Sequence, residues 1–255
     1  MADVPSVRRA VSILRQLSGA NRPMGAGMLA QVLGIPRSSV YDVLAVLEDL
    51  GLVIKSSTGY LLGAGVQELG SAYMRTNPLQ RLAAPLVRDL ATETGGTAQL
   101  AVLRGWETVY LVKEQSLQSV AVITATGVRM PAYLTATGRA IMASMDPKEV
   151  RALLAEESGL VSRTGRGPRD LRALAESLRQ VRARGYSLEV GEITPEIWTV
   201  AASVHDAIER PIAAIGLCLR SPAEASDETI DEDEVEQLAT RVRAAAGELT
   251  RRLRS

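Results

Sequence analysis

The start of the chain shows apolar positions at helical spacing, interrupted by short turns. Residues 4–17 carry apolar side chains three and four positions apart, which predicts an amphipathic helix. Helices are also predicted at residues 26–33 and 37–50. Two short apolar runs, 52–54 and 60–62, then flank a polar turn and predict a hairpin. Helix, helix, tight turn, helix and hairpin is the order of a winged helix-turn-helix.

The rest of the chain changes from helical to strand-like patterning. After a predicted flexible joint at residues 63–65 come helices at 66–75 and 79–94. The later predicted elements are strands at 98–103, 108–112 and 120–124, helices at 138–145, 147–155 and 169–184, strands at 186–190, 198–204 and 212–219, and a closing helix at 231–253. This pattern predicts an α+β fold whose second part contains a mainly antiparallel sheet.

Composition is that of a globular protein. Hydrophobic residues make up 46% of the chain, and 29 Lys and Arg balance 29 Asp and Glu. These values exclude disorder as the main state and also exclude an overall basic field. No stretch reaches the roughly 20 consecutive apolar residues of a membrane helix, and the N-terminal segment lacks the apolar core of a signal peptide. A cytoplasmic protein without membrane contact is therefore expected.

Catalysis and metal binding find little support in the sequence. The single cysteine, Cys218, excludes an internal disulfide and a cysteine-based metal site. The only histidine, His205, stands beside Asp206, but neighbours on a strand point to opposite faces. A Gly-x-Ser-x-Gly nucleophile elbow does not occur. Neither an enzyme nor a cofactor is expected.

Several segments resemble one family of regulators in their order and spacing. They are Leu-Gly-Ile-Pro-Arg-Ser-Ser-Val-Tyr at 33–41, residues 44–53, Gly-Tyr-Leu-Leu-Gly at 59–63, residues 129–140 with Thr-Ala-Thr-Gly-Arg-Ala at 135–140, Gly-Tyr at 185–186, Glu192, Val-Ala-Ala at 200–202 and Pro-Ile-Ala-Ala at 211–214. The chain thus resembles the IclR family of transcription regulators. The resemblance implies a winged helix-turn-helix DNA-binding domain at residues 1–64, a linker helix at 65–78 and a GAF-like, antiparallel-sheet effector-binding domain at 79–255.

The third predicted helix carries the candidate DNA contacts. Arg37, Ser38, Ser39 and Tyr41 stand at its start, where they can reach base edges or phosphates in a major groove. Ser39 with Asp42 also matches a capping box, so a serine that merely caps the helix is the alternative. Neighbouring elements supply further predicted phosphate contacts, with a solvated surface as the alternative for the first two: Arg8, Arg9, Arg22 and Lys55.

The small local charge bears on the predicted assembly. Residues 1–75 hold seven Lys and Arg against five Asp and Glu, a net charge of +2. Because DNA affinity comes largely from phosphate neutralisation, a single copy should bind weakly. We therefore expect a homodimer or a dimer of dimers on a double-stranded, pseudo-palindromic operator.

The candidate effector site begins at the Thr-Ala-Thr-Gly segment. Thr135, Ala136, Thr137 and Gly138 open a predicted helix, whose free N–H groups favour an anion, although threonine capping alone explains the same residues. The resemblance adds four residues that should face the effector, with sheet packing as the alternative: Glu189, Thr199, Gly216 and Cys218. The resemblance implies an organic acid or aromatic metabolite as effector, but nearby glutamates argue against assuming an anion.

Two functions follow from these observations. The first is a ligand-responsive transcription regulator that binds an operator and changes its DNA affinity with a small-molecule effector. The alternative is a small-molecule sensor that acts through protein contacts and uses the winged helix for dimerisation. Asp42 keeps this alternative open, because the family usually has arginine at that position.

Overall fold

The computed structural model describes residues 4–20, 22–76, 78–117, 119, 122, 125–155, 159–221 and 230–255. The chain divides into two compact units, Met1–Asn77 and Pro78–Ser255. The strand predicted at residues 120–124 lies outside the described residues, apart from Val122. Among the described residues, no helix is both long and apolar enough to cross a membrane.

The first unit contains the helices and the hairpin that the pattern predicts. Its elements are α1 (Pro5–Ser18), α2 (Ala26–Leu33), α3 (Arg37–Asp49), β1 (Val53–Ser56), β2 (Gly59–Leu62) and α4 (Ala64–Thr76). The strands β1 and β2 pair antiparallel. Fully buried side chains from each of α1, α2, α3 and β1 meet in one core: Ile13, Leu29, Val40, Leu44 and Val53. The apolar stripes of the helices therefore pack on one another and on the hairpin.

Two glycines shape this unit. Gly34 ends α2 with a φ of 63°, a left-handed conformation that glycine adopts without steric cost, and the chain then turns into α3. A Cβ atom at Gly63 would lie 2.2 Å from the carbonyl oxygen of Gly51. The predicted flexible joint at residues 63–65 is therefore wrong. Gly63 is buried in a close backbone contact, and the next two residues already belong to α4.

The start of α3 corrects one further expectation. Pro36 is the N-cap residue, and no side chain forms a capping hydrogen bond there. Ser39 lies inside the helix and accepts a hydrogen bond from Nη1 of Arg9 at 3.2 Å. The capping box of Ser39 and Asp42 does not form, because the helix begins two residues earlier, at Arg37.

The second unit is built on one antiparallel sheet. Its elements are α5 (Pro78–Thr94), β3 (Thr97–Arg104), β4 (Glu107–Gln115), β5 (Arg129–Pro131), α6 (Ala136–Ala143), α7 (Pro147–Leu153), α8 (Leu171–Arg184), β6 (Ser187–Val190), β7 (Ile197–His205), β8 (Pro211–Arg220) and α9 (Glu232–Arg254). The strand order is β5-β4-β3-β8-β7-β6, and each neighbouring pair is antiparallel. The predicted α+β fold class is confirmed.

Helices cover both faces of this sheet. Because strand side chains alternate between faces, each strand contributes every second residue to each side. One face packs against α5 and α9 through a large apolar core that includes Leu100, Val200, Ile215 and Leu217. The opposite face meets α6, where Ala136, Ala140 and Ile141 pack on Ala201 and Ala214. Polar side chains of the sheet collect on this second face.

Candidate functional site

Helix α3 presents one exposed face that holds most of the predicted DNA contacts. Arg37, Ser38, Tyr41 and Asp42 are exposed, and Ala45 continues the same face one turn later. The opposite face of α3 supplies core residues of the unit. A recognition helix needs this division, because only its free face can enter a groove.

Arg37 lies across the neighbouring helix. A Cβ atom at Gly27 would approach Nη2 of Arg37 to 2.9 Å, so the absence of a side chain on α2 makes room for the guanidinium. The residue at the N-cap of α2, Gly25, forms no side-chain capping bond. A guanidinium beside an uncapped helix N-terminus is suited to a phosphate, since both groups attract negative charge.

The remaining predicted phosphate contacts occupy three different elements. Arg9 on α1 reaches the hydroxyl of Ser39, which brings one cation to the start of α3. Arg8 is exposed one position earlier on α1, and Arg22 is exposed in the turn before α2. Lys55 is exposed on β1, opposite Tyr60 in the hairpin.

A cavity lies between α6 and the polar face of the sheet. Its volume is about 30 Å³, within about 420 Å³ of unfilled space that includes open solvent at its mouth. The described residues that line it are Gln99, Tyr110, Val122, Thr135, Ala136, Thr137, Glu189, Ile193, Thr194, Ile197, Thr199, Gly216 and Cys218. Seven of the eight predicted effector residues are thus brought to one cavity: Thr135, Ala136, Thr137, Glu189, Thr199, Gly216 and Cys218.

Strand register explains why distant positions meet in this cavity. Glu189 on β6 pairs with Thr199 on β7, and Thr199 pairs with Cys218 on β8. The three side chains therefore form a row across the sheet, and the Thr199 hydroxyl donates to Sγ of Cys218 at 3.3 Å. Gln99 on β3 pairs with Gly216, two positions from Cys218, and its Nε2 lies 2.9 Å from the same sulfur. Burial raises the pKa of the Cys218 thiol to about 12, so it is protonated at neutral pH.

Glu189 is the buried carboxyl group of the cavity. Its Oε1 accepts hydrogen bonds from the backbone N–H groups of Glu192 at 2.6 Å and Ile193 at 3.1 Å. Burial raises the pKa of the Glu189 carboxyl to about 7, and the nearby Glu192 carboxylate adds to the rise. The two backbone hydrogen bonds and Arg139 act in the opposite direction. Glu189 is therefore poised to change its charge near neutral pH.

A buried ion pair stabilises the loop after β6. Arg139 on α6 is 2% exposed and binds both carboxylate oxygens of Glu192, at 2.5 and 2.9 Å. It also donates to the carbonyl oxygen of Leu188 at 2.8 Å. The loop that contributes Ile193 and Thr194 to the cavity is thus tied to α6 on one side and to Glu189 on the other.

Threonines and a tyrosine fill the start of α6. Thr135 is the N-cap residue, and its Oγ1 accepts the N–H of Gly138 at 2.9 Å. The same oxygen lies 2.9 Å from the hydroxyl of Thr108 and 3.5 Å from that of Thr137. Tyr110 lines the same cavity; burial raises the pKa of its hydroxyl, and the side chains of Thr137 and Thr135 act in the opposite direction. Capping and cavity lining are therefore combined in Thr135.

Two glycines allow α6 to approach its surroundings closely. A Cβ atom at Gly216 would lie 2.7 Å from Cγ2 of Thr137, and one at Gly138 would lie 2.2 Å from the carbonyl oxygen of Ala132. Gly138 does not line the cavity among the described residues, in contrast to its predicted role. Its lack of a side chain serves backbone packing, and its N–H is used by the Thr135 cap.

Sequence reasoning missed several cavity residues. Gln99 and Tyr110 lie on β3 and β4, where an amide and a ring interrupt otherwise apolar runs, and this interruption was the available signal. Ile193, Thr194 and Ile197 carry no such signal, because only the loop and the strand register bring them to the cavity. No group of three or more potential metal ligands occurs in the described part of the chain.

An exposed recognition helix and a separate unit with a polar cavity define the class: a DNA-binding regulator with a sensor domain. Family models agree. The IclR helix-turn-helix domain matches residues 6–56, and the bacterial transcriptional regulator IclR C-terminal domain matches residues 71–251. The chain belongs to the IclR family of transcriptional regulators.

Known relatives cover nearly the whole chain. The transcriptional repressor IclR of Escherichia coli K12 is 27% identical over 251 residues, which are 97% of this chain and 89% of the relative. The IclR regulator structure from Alicyclobacillus acidocaldarius has a TM-score of 0.87 and 26% identity, with 99% and 100% of the two chains covered. An IclR homologue from Microbacterium hydrocarbonoxydans, solved with 4-hydroxybenzoate, has a TM-score of 0.82 and 20% identity, with 98% and 99% covered, and shows the fold alone.

Proposed function

We propose that this protein binds a pseudo-palindromic operator as a homodimer or a dimer of dimers, and that a small molecule in the cavity changes its affinity for DNA. The observation that carries this proposal is the exposed face of α3, with Arg37, Ser38 and Tyr41 at its N-terminal end. The E. coli relative is a repressor, which supports repression as the mode of action here. A cytoplasmic location follows from DNA as the target.

The contacts divide into two kinds. Ser38 and Tyr41 are exposed on α3 and carry hydroxyl groups that can reach base edges. Arg37 contacts a phosphate, because its guanidinium lies beside the N-terminus of α2. Ser39 acts through Arg9, since the two side chains are hydrogen-bonded. Further phosphate contacts come from exposed cations on neighbouring elements: Arg8, Arg22 and Lys55.

Exposed apolar side chains support self-association. Val7 and Val11 lie one turn apart on α1 and are 58% and 40% exposed, while Leu69 and Tyr73 lie one turn apart on α4 and are 63% and 43% exposed. Apolar stripes of this kind on a small domain are typical of surfaces that become buried against a partner. A second copy of the chain is the partner that a pseudo-palindromic operator requires.

The cavity residues form the proposed effector site: Thr135, Ala136, Thr137, Glu189, Thr199, Gly216 and Cys218. A ligand there affects DNA binding only if it binds one arrangement of the protein more tightly than another. The Microbacterium homologue was solved with 4-hydroxybenzoate, which supports a small organic effector, whether an organic acid or an aromatic metabolite. The buried Glu189 bears on the choice between these classes and is considered below.

DNA binding is tested with the duplex upstream of the protein's own gene and with a random duplex, as a function of salt. Arg37→Ala should weaken binding to both duplexes and reduce the slope of log K against log salt by about one. Arg15→Ala is the matched control, because Arg15 is an exposed cation on α1 outside the proposed contacts. An unchanged slope in Arg37→Ala removes Arg37 from the phosphate contacts. Absence of salt-dependent binding to either duplex by the parent refutes the proposed function and favours a sensor that acts through protein contacts.

Self-association is tested by sedimentation velocity. Leu69→Glu should shift the protein towards monomer and weaken operator binding, because it places a charge in the proposed interface. Leu171→Glu changes an exposed leucine of the second unit, 51% exposed, and should leave the assembly unchanged. Unaltered sedimentation of Leu69→Glu would exclude α4 from the interface.

A further inference from the structure

The cavity contains a buried acceptor that no described protein donor satisfies. Oε1 of Gln99 is fully buried and has no hydrogen-bond partner among the described residues, whereas Nε2 of the same side chain donates to Sγ of Cys218. Both backbone N–H groups that bind Glu189 reach Oε1, so its other carboxylate oxygen receives neither of them. Both residues line the cavity. Unsatisfied buried acceptors are costly, and a ligand that donates to them recovers this cost.

The helix N-terminus in the cavity is already occupied by the protein. Thr135 caps the N–H of Gly138 and lies 2.9 Å from the Thr108 hydroxyl, and Tyr110 lines the cavity beside Thr135 and Thr137. Burial raises the pKa of Tyr110, so its hydroxyl is uncharged at neutral pH. An anion would have to displace these hydroxyl groups before it could use the helix N-terminus.

Two cations near the cavity are hydrogen-bonded to protein groups. Arg139 binds both oxygens of Glu192, and it does not line the cavity. Lys113 pairs with Gln99 across β3 and β4, and its ammonium donates at 3.3 Å to the carbonyl oxygen of Val122, a lining residue, so this cation lies at the edge of the cavity and not among its lining residues. Among the described lining residues there is no Lys, Arg or His. A carboxylate ligand would therefore meet Glu189 without a counter-ion among the described lining residues, which is unfavourable at low dielectric.

We propose that the effector is a small amine or alcohol that donates hydrogen bonds to Glu189 and Gln99 and carries no carboxylate group. This inference rests on the proposed function of the cavity as the effector site. It names the chemical class of the ligand from the acceptors that the cavity leaves open. An amine and an alcohol share this donor chemistry, and they differ in charge.

The charge of Glu189 supplies a second signature. Burial is the main reason that the pKa of the Glu189 carboxyl is about 7. Glu189 is therefore mostly protonated at pH 6 and mostly ionised at pH 8. A protonated amine should bind about tenfold more tightly at pH 8 than at pH 6. An alcohol should show the same direction with a smaller change, and a carboxylate should show the opposite direction.

Matched probes test the inference on the full-length protein. We would measure dissociation constants at pH 6 and pH 8 for 3-amino-1,2-propanediol, glycerol and glycerate, and for benzylamine, benzyl alcohol and benzoate. Each set keeps its skeleton and changes only the terminal group. Glu189→Gln retains the size of the side chain, and Glu93→Gln is the control, because Glu93 on α5 is 62% exposed and outside the cavity.

In at least one set, the amine or the alcohol should bind more tightly than the carboxylate at pH 8. Glu189→Gln should weaken binding of the amine by about 10- to 100-fold and remove its pH dependence, because a hydrogen bond to a charged group is lost. Gln99→Met should weaken both donor probes by about fivefold. Glu93→Gln should bind all the probes like the parent.

Three results would overturn the inference about ligand class. The first is tighter binding of the carboxylates than of the amines and alcohols at pH 8. The second is binding of the amines and alcohols that Glu189→Gln does not change. The third is no binding of any amine or alcohol probe. None of these results affects the proposed function, which is tested separately by salt-dependent binding to the duplex upstream of the protein's own gene. If donors bind as expected but do not change DNA affinity, the ligand class stands and the proposed regulatory function fails.

Discussion

Replacing Glu189 by Gln should change how the stability of the second unit depends on pH. The carboxyl has an ordinary pKa of 4.5 in the unfolded chain and a pKa of about 7 in the folded protein, because burial disfavours its charged form. Between these values the folded state holds a proton that the unfolded state has lost. Its free energy of unfolding therefore falls as pH rises, by about 3 kcal/mol when the whole interval is crossed.

The sign of this effect separates it from a simple packing effect. The contribution of protonated Glu189 is fully present below pH 4.5 and is lost as pH rises through about 7. Gln at this position does not titrate. The stability of Glu189→Gln relative to the parent should thus increase by about 2.5 kcal/mol from pH 5 to pH 8. Hydrogen bonds that the substitution alters change the free energy of unfolding by the same amount at pH 5 and at pH 8, so they do not produce this pH dependence.

Tryptophan fluorescence during urea unfolding measures the relevant unit. The chain has two tryptophans, Trp106 and Trp198, and both belong to the second unit. Trp198 is 1% exposed, so its emission reports loss of the sheet core. Glu93→Gln is the control, since removal of an exposed carboxylate should change stability by less than about 1 kcal/mol at either pH. A difference between Glu189→Gln and the parent that is constant from pH 5 to pH 8 would refute the argument.

Two further variants test the packing around α6 by the same fluorescence assay. Gly138→Ala should destabilise the second unit by about 3 kcal/mol, because its Cβ would overlap the Ala132 carbonyl. The control, Gly247→Ala, has no atom within 4 Å of its new Cβ and should be neutral or stabilising. Equal effects of the two changes would contradict the close contact at Gly138. Arg139→Met should cost about 3–5 kcal/mol by leaving Glu192 unpaired, and combining it with Glu192→Met should cost less than the sum of the two single changes. Additive costs would show that the pair is not coupled.

Much of the architecture could be predicted because its signals are local. The apolar periodicity of α1, α2 and α3 and the turn at Gly34 depend on neighbouring residues, and they identify the helix-turn-helix without any long-range contact. The nearly continuous apolar runs of β7 and β8, which contain β-branched residues, likewise predict strands. The three-residue strand β5 was not predicted, since so short a run has no measurable period and forms by pairing with β4.

The candidate cavity was only partly predictable. Gly216 and Cys218 share a face by the two-residue period, and Thr135 at the start of a helix predicts a cap. Gln99 joins them only because β3 lies next to β8 in the sheet, 119 residues from its partner Cys218. The alternation of side chains along β3 places Gln99 on one of the two faces of the sheet. The order of the strands decides which other residues lie beside it on that face.

The sequence by itself determined most of the helices and strands, where the recognition helix begins, and which side chains could carry chemistry, because these properties follow from backbone sterics and local periodicity. The tertiary structure alone decided the properties that require distant groups to meet. Arg139 finds Glu192 across 53 residues, Gly63 packs against Gly51, and Glu189 becomes a buried acid whose pKa lies near 7. Charge state and hydrogen-bond satisfaction depend on desolvation and on long-range partners, and strand register and helix packing set both.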